Sequence, residues 1–165
     1  MAVRNVHRRV LPVPPARAQA LLRGLASHDD RLWPGDRWWP QRFEGGLVPG
    51  AKGGHGPVRY RVESVAPASV VYRFPRRGWF RGTHRFDLAP HPGGTELVHT
   101  LEGTLHGRGR LLWPVMVRWL HDALLEDVLD RAEAAAGSPP AVPARHSAYV
   151  RFLRRRLLRL ADPPA

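Results

Sequence analysis

The sequence predicts an α+β domain in which one long helix lies across an antiparallel sheet. Two observations carry this. Four segments between Val58 and Gly103 alternate apolar and polar residues, and the breaks between them ("APAS", "PRRGWFR", "APHPGG") have hairpin chemistry. A helical run from Leu111 to Ala136 follows, the only element long enough to cover the open face of such a sheet.

Taken in order, Val3, Val6, Val10 and Leu11 lie among charged residues and suggest an imperfect first strand. Pro12, Pro14 and Pro15 stop it and can open a helix over "ARAQALLRGLA", where Ala18, Leu21, Leu22 and Leu25 recur at helical spacing. Ser27 to Asp30 ends that helix or caps a short one near Leu32. "LWPGDRWWPQRF" reads as a connector and "GAKGGHG" as a glycine-rich turn. The four expected strands are Val58 to Val65, Val70 to Phe74, Gly82 to Leu88 and Thr95 to Gly103. Pro114 fits the first turn of the long helix. "GSPPAVP" is a stiff linker, and "ARHSAYVRFLRRRLLRLA" forms a last helix. This divides the chain into residues 1–136, a linker at 137–144 and a basic amphipathic helix at 145–161.

The totals exclude several classes. There are no cysteines, so disulfides and thiolate metal sites are ruled out. No apolar run suits a secretory leader or approaches the ~18 to 20 residues of a membrane span, so a cytoplasmic protein is expected. The net charge of +12 favours polyanionic partners, although an Arg-, Ala-, Pro- and Gly-rich composition also follows from a genome rich in G and C. No helix-turn-helix, zinc-finger or RNA-binding signature is present, which argues against nucleic acid. "GAKGGHG" lacks the Gly-Lys-Ser/Thr ending and following helix of a phosphate loop.

The strings "LWPGDRWWPQRF", "GGHGPVRYRVESV", "GTHRFDLAPHPGGTELVHTLEG" and "LLWPVMVRWLHDALLEDVLDRAE" resemble the START-like, or Bet v 1-like, superfamily, also called SRPBCC. Polyketide cyclase/dehydrase proteins and lipid-transfer domains belong to it. The resemblance covers about Val3 to Ala136. It implies a helix-grip fold, with a curved sheet wrapped around the long helix and a largely apolar cavity between them. It carries over no catalytic motif.

Strand parity then sorts side chains into faces. Tyr60, Tyr72, His84, Phe86 and His99 fall on the apolar parity. On the long helix Val117, Leu120, His121, Leu124 and Val128 share one face, whereas Asp122 starts the polar flank and Glu126, Asp127 and Asp130 point mostly away. With Trp113, the expected ligand-lining residues are therefore Tyr60, Tyr72, His84, Phe86, His99, Trp113 and His121. The expected ligand is a hydrophobic small molecule or lipid, with no cofactor. A metal site on His84, His99 and His121 is not expected, because the three lie on different elements.

Two other readings stay open: a cyclase or aromatase using one of these histidines as a base, and an interaction domain with a filled core. Trp33, Trp38 and Trp39 suit either a cavity rim or core packing. Trp79 and Phe80, between arginines, suit a membrane interface, as do Arg151, Arg154 and Arg155 on the last helix. There Tyr149, Phe152, Leu153, Leu157 and Leu160 align on one side. That helix either meets an anionic membrane at the inner face or docks on its own domain.

Overall fold

In the computed structural model, which describes residues 1–159, seven strands form one antiparallel sheet in the order β1-β7-β6-β5-β4-β3-β2. The strands are β1 (Ala2–Leu11), β2 (Gln41–Phe43), β3 (Lys52–His55), β4 (Val58–Ala66), β5 (Ser69–Arg73), β6 (Phe80–His91) and β7 (Gly94–Leu105). Strands β3 to β7 follow one another as a meander, and β1 adds to its far edge beside β7. The helices are α1 (Pro15–Arg23), α2 (Gly109–Leu112), α3 (Arg118–Ala135) and α4 (Ala148–Arg159). The sheet curves around the long C-terminal helical run, giving the α+β helix-grip architecture.

Two strands come from sequence that lacks alternation. β2 ends the Trp- and Pro-rich connector, and β3 is "KGGH" itself, so the glycine-rich segment is a strand rather than a turn. Glycine is what allows the tight turn that follows. Gly56 has φ 51°, and a Cβ there would lie 2.2 Å from the Trp39 ring. The segment after α1 is a series of turns with no second helix near Leu32.

The parity reading holds through most of the sheet. Tyr60, Val62, Val70, Tyr72, His84, Phe86, Leu97, His99 and Leu101 are buried, whereas Arg59, Arg61 and Arg73 are exposed. A register shift between Val62 and Ser64 brings Val65 to the inner face with Val70, the inversion that a bulge causes.

The long helix is one run with a defect. It starts at Gly109, so Pro114 falls inside it and not in its first turn. Without an N–H to donate, Pro114 sits in a π-helical segment, Trp113–Val117, closed by the Arg118 N–H donating to the Trp113 carbonyl. Side chains add bonds to carbonyls of this segment: the Trp119 indole donates to the Pro114 oxygen at 2.9 Å, and the Tyr149 hydroxyl donates to the Val115 oxygen.

The last helix docks on the domain. Ser147 Oγ accepts the Val150 N–H at its start, Val150 is buried, and Leu153 and Leu157 pack against the core. Arg154 lies over the Trp38 ring at 5.5 Å, so its side chain is engaged internally. Arg151 and Arg155 remain exposed. Leu160, expected on this helix's apolar side, lies outside the described residues. Phe80 is not a surface residue: it is buried with Leu101, Leu105 and Trp113, because β6 begins at Phe80 and turns it inward. Trp79 is half-buried and packs over Gly109.

Candidate functional site

All seven expected lining residues come together between the sheet and the helical run. Cross-strand register makes this happen: Tyr72 faces His84 and Phe86 faces His99 across adjacent strands. The rings form a continuous row. Tyr60 meets His84 edge-on at 4.5 Å, Tyr72 stacks on His84 at 4.6 Å, and His99 lies 5.2 Å from His121, which lies 6.1 Å from Trp113. His84 Nδ1 and His99 Nε2 are 3.3 Å apart, a long hydrogen bond between two imidazoles. Phe43 stacks flat against Tyr72, closing the row on the β2 side.

This interior is polar in atoms but neutral in charge. Burial pushes the His84, His99 and His121 imidazoles below their ordinary range and the Tyr60 and Tyr72 hydroxyls above theirs. Each group is thereby held in its uncharged form at neutral pH. Hydrogen bonding within the row is incomplete. Gln41 Nε2 donates to the Tyr60 hydroxyl at 2.7 Å. Gln41 Oε1, Tyr72 OH, His84 Nε2, His99 Nδ1 and His121 Nδ1 are buried and have no partner in the protein. An unpaired buried polar group costs about 1–3 kcal/mol, so each of these atoms calls for a partner outside the protein chain, a ligand or water.

Two of these groups escape a reading of the sequence. Gln41 sits in the connector, where no alternation signals its face. His55, tilted against Trp33 and Tyr60, lies in the segment read as a turn. A cleft of about 210 Å³, lined by Asp30, Trp33, Asp36 and Arg131 among others, reaches Gln41 from the surface. Trp33 and Trp38 themselves are core residues. Trp33 donates to the Trp39 carbonyl at 2.8 Å, and Trp38 donates to Asp127 Oδ2 at 2.7 Å.

The polar flank of α3 is also placed differently from the expectation. Asp127 is buried, held by Trp38 and by His146 at 3.0 Å. Asp122, Glu126, Asp130 and Glu133 face β1. Asn5, His7 and Arg9 share an inner parity there, since His7 stands opposite His99 in the register. Asn5 Nδ2 donates to Asp122 at 2.8 Å, and His7 bridges Asp122 at 3.1 Å and Glu126 at 2.8 Å. Arg9 donates to Glu126 and Asp130, both at 3.1 Å, and to Glu133 at 2.6 Å. The match is geometric: two residues of strand advance about 6.6 Å and four residues of helix about 6 Å, so the two rows stay in step. Burial opposes ionisation of Asp122, yet His121, His7 and Asn5 hold its carboxyl well below the usual carboxylate range.

No family model and no curated protein matches the chain. Solved structures do. KanY is 12% identical, with 84% of this chain and 99% of that one covered and a TM-score of 0.61. Ara h 8.0201 is 14% identical, covering 82% and 98%, with a TM-score of 0.59. The di-domain ARO/CYC protein StfQ of the steffimycin biosynthetic pathway is 16% identical, covering 83% of this chain and 51% of StfQ, with a TM-score of 0.56. At these identities the likeness establishes the fold. A curved seven-stranded sheet gripping a long C-terminal helix gives this chain a Bet v 1-like, helix-grip fold.

Proposed function

We propose that the protein binds an uncharged, largely hydrophobic small molecule or lipid between the sheet and α3. One observation carries this reading: five buried polar atoms, on Gln41, Tyr72, His84, His99 and His121, have no partner in the protein and sit among Phe86, Trp113 and the two tyrosines. Apolar burial supplies the affinity, and these atoms orient hydroxyl or carbonyl groups of the ligand. The neutral state of every titratable group in the row disfavours an anion. The cleft at Gln41 is the route of entry.

A neutral fluorescent probe such as 1-aminoanthracene tests this. Wild-type protein is expected to bind it with a blue shift, and the bulky replacement His99→Trp is expected to weaken binding roughly tenfold. Tyr72→Phe, which removes one hydroxyl, is expected to alter binding of hydroxylated competitors by about 1–3 kcal/mol and leave apolar ones unchanged. Probe binding that ignores both changes places the ligand elsewhere.

The enzyme reading draws on the same residues. A neutral imidazole beside a tyrosine hydroxyl is equipped to take a proton from an enolisable carbon, and StfQ, an ARO/CYC protein, shares the fold. Turnover of a polyketide-like substrate, lost in His84→Leu or His99→Leu, would select it.

The membrane reading rests on the outer side of α4, where Arg151, Arg155 and Phe152 are exposed. With the apolar side of that helix packed on the domain, contact with an anionic bilayer would be mainly electrostatic. Flotation with phosphatidylglycerol vesicles is expected to fall in Arg151→Glu/Arg155→Glu protein. Equal flotation would remove the helix from the membrane account.

A further inference from the structure

Where β1 meets the start of α3, His7, His121 and Asp122 bring three ligand atoms within 4.8 Å of one another. We propose that these residues form a binding site for a divalent transition metal, with Zn²⁺ as the best match. It shares His121 with the small-molecule reading and otherwise rests on different residues, so the two are tested separately. Neither His7 nor Asp122 falls on the apolar parity or stripe that marks His84, His99 and His121 in the sequence.

The spacing of the ligand atoms also suits an ion. His7 Nε2 and Asp122 Oδ1 are 3.1 Å apart, and His121 Nδ1 is 4.0 Å from the same oxygen. Tetrahedral Zn²⁺ with bonds near 2.1 Å needs ligand atoms about 3.4 Å apart, so small rotations of adjacent side chains close the site. His121 Nδ1 is buried and has no protein partner, although it lies on the side facing His7 and Asp122. Two imidazoles and one carboxylate are the donor set that Zn²⁺ accepts from nitrogen and oxygen ligands.

The surrounding residues are arranged as a metal site requires. Glu126 Oε1 accepts from His7 Nδ1 at 2.8 Å, which leaves Nε2 to turn towards the ion. Asn5 Nδ2 donates to Asp122 at 2.8 Å and fixes the carboxylate. The Asp122 side chain is 30% exposed, so the cluster can be reached from solvent. Metal entry replaces the proton shared between His7 Nε2 and Asp122, and that proton passes to water.

The test uses tag-free, full-length protein stripped with a chelator and titrated with Zn²⁺ against a chromogenic competitor. One tightly held equivalent is expected. His7→Gln, His121→Gln and Asp122→Asn should each weaken it by roughly tenfold or more, and Glu126→Gln, a positioning change, by about tenfold. Replacing exposed His28 or His91 should change nothing. Circular dichroism of each variant separates loss of the site from misfolding. Co²⁺ supplies a second readout, with visible d–d bands in wild type that vanish in Asp122→Asn. No stoichiometric uptake by the wild type, or uptake unaltered in all three ligand variants, would overturn the assignment.

Discussion

An imidazole held between strands and away from water resists taking up a proton, and His84 and His99 are both in that position. In the unfolded chain each titrates near pH 6.5, and in the folded protein each titrates lower. Their contribution to stability is therefore complete above about pH 6.5 and is lost as the pH falls below it. Urea denaturation should show stability declining from pH 7 to 5, at up to about 1.4 kcal/mol per pH unit for each histidine. The decline should be shallower in His84→Leu. His7 works in the opposite sense: its hydrogen bonds with Asp122 and Glu126 outweigh burial and raise its pKa. It is present in both proteins, so the difference in slope isolates His84, and equal slopes would contradict the account. At this scale the sheet's inner residues were legible, because alternation marks a face. Asn5, His7 and Arg9 were not, because polar residues at inward parity look like a poor strand until the acidic flank of α3 is set opposite them. Asp127 was missed for a related reason: a carboxylate on a polar flank reads as solvated, and only the fold brings Trp38 and His146 to it.

Among the elements, α4 and its linker are tied to α3 at several points. The Ala144 N–H donates to Asp130 Oδ2 at 2.7 Å, His146 bonds Asp127, and Val150 enters the core. A chain ending at Pro140 loses all three and leaves the buried Asp127 with one fewer partner. Truncation is expected to destabilise the domain by about 2 kcal/mol or more, from the lost apolar burial alone. A truncated protein with an unchanged urea midpoint would show that α4 leaves its dock in solution. Amphipathicity predicted this helix but not its partner, since an apolar stripe fits a bilayer and a protein surface equally well. The long strands and the long helix were legible for the opposite reason: length gives a period room to declare itself. β2 and β3, three and four residues long with two glycines inside β3, carry no period and emerge only by pairing, β3 with β4 and β2 with β3.

For the molecule as a whole, the sheet and α3 enclose a row of neutral, incompletely bonded aromatic and imidazole side chains, and β1 closes one end with an ion-paired seam. No helix among the described residues is long and apolar enough to cross a membrane. The sequence resemblance reached the fold, because element order and alternation survive where identity to solved relatives is below 20%. It could not reach the ligand, because the fold is defined by how a sheet wraps a helix and not by which side chains line the space. This interior is expected to hold an uncharged small molecule. Native mass spectrometry of freshly purified full-length protein, with extraction and identification of what it carries, tests it most directly. A retained apolar compound bearing hydroxyl or carbonyl groups is expected, and its occupancy should drop in His99→Trp. An apo mass that persists after incubation with neutral hydrophobic candidates, or a ligand retained equally in His99→Trp, would contradict it.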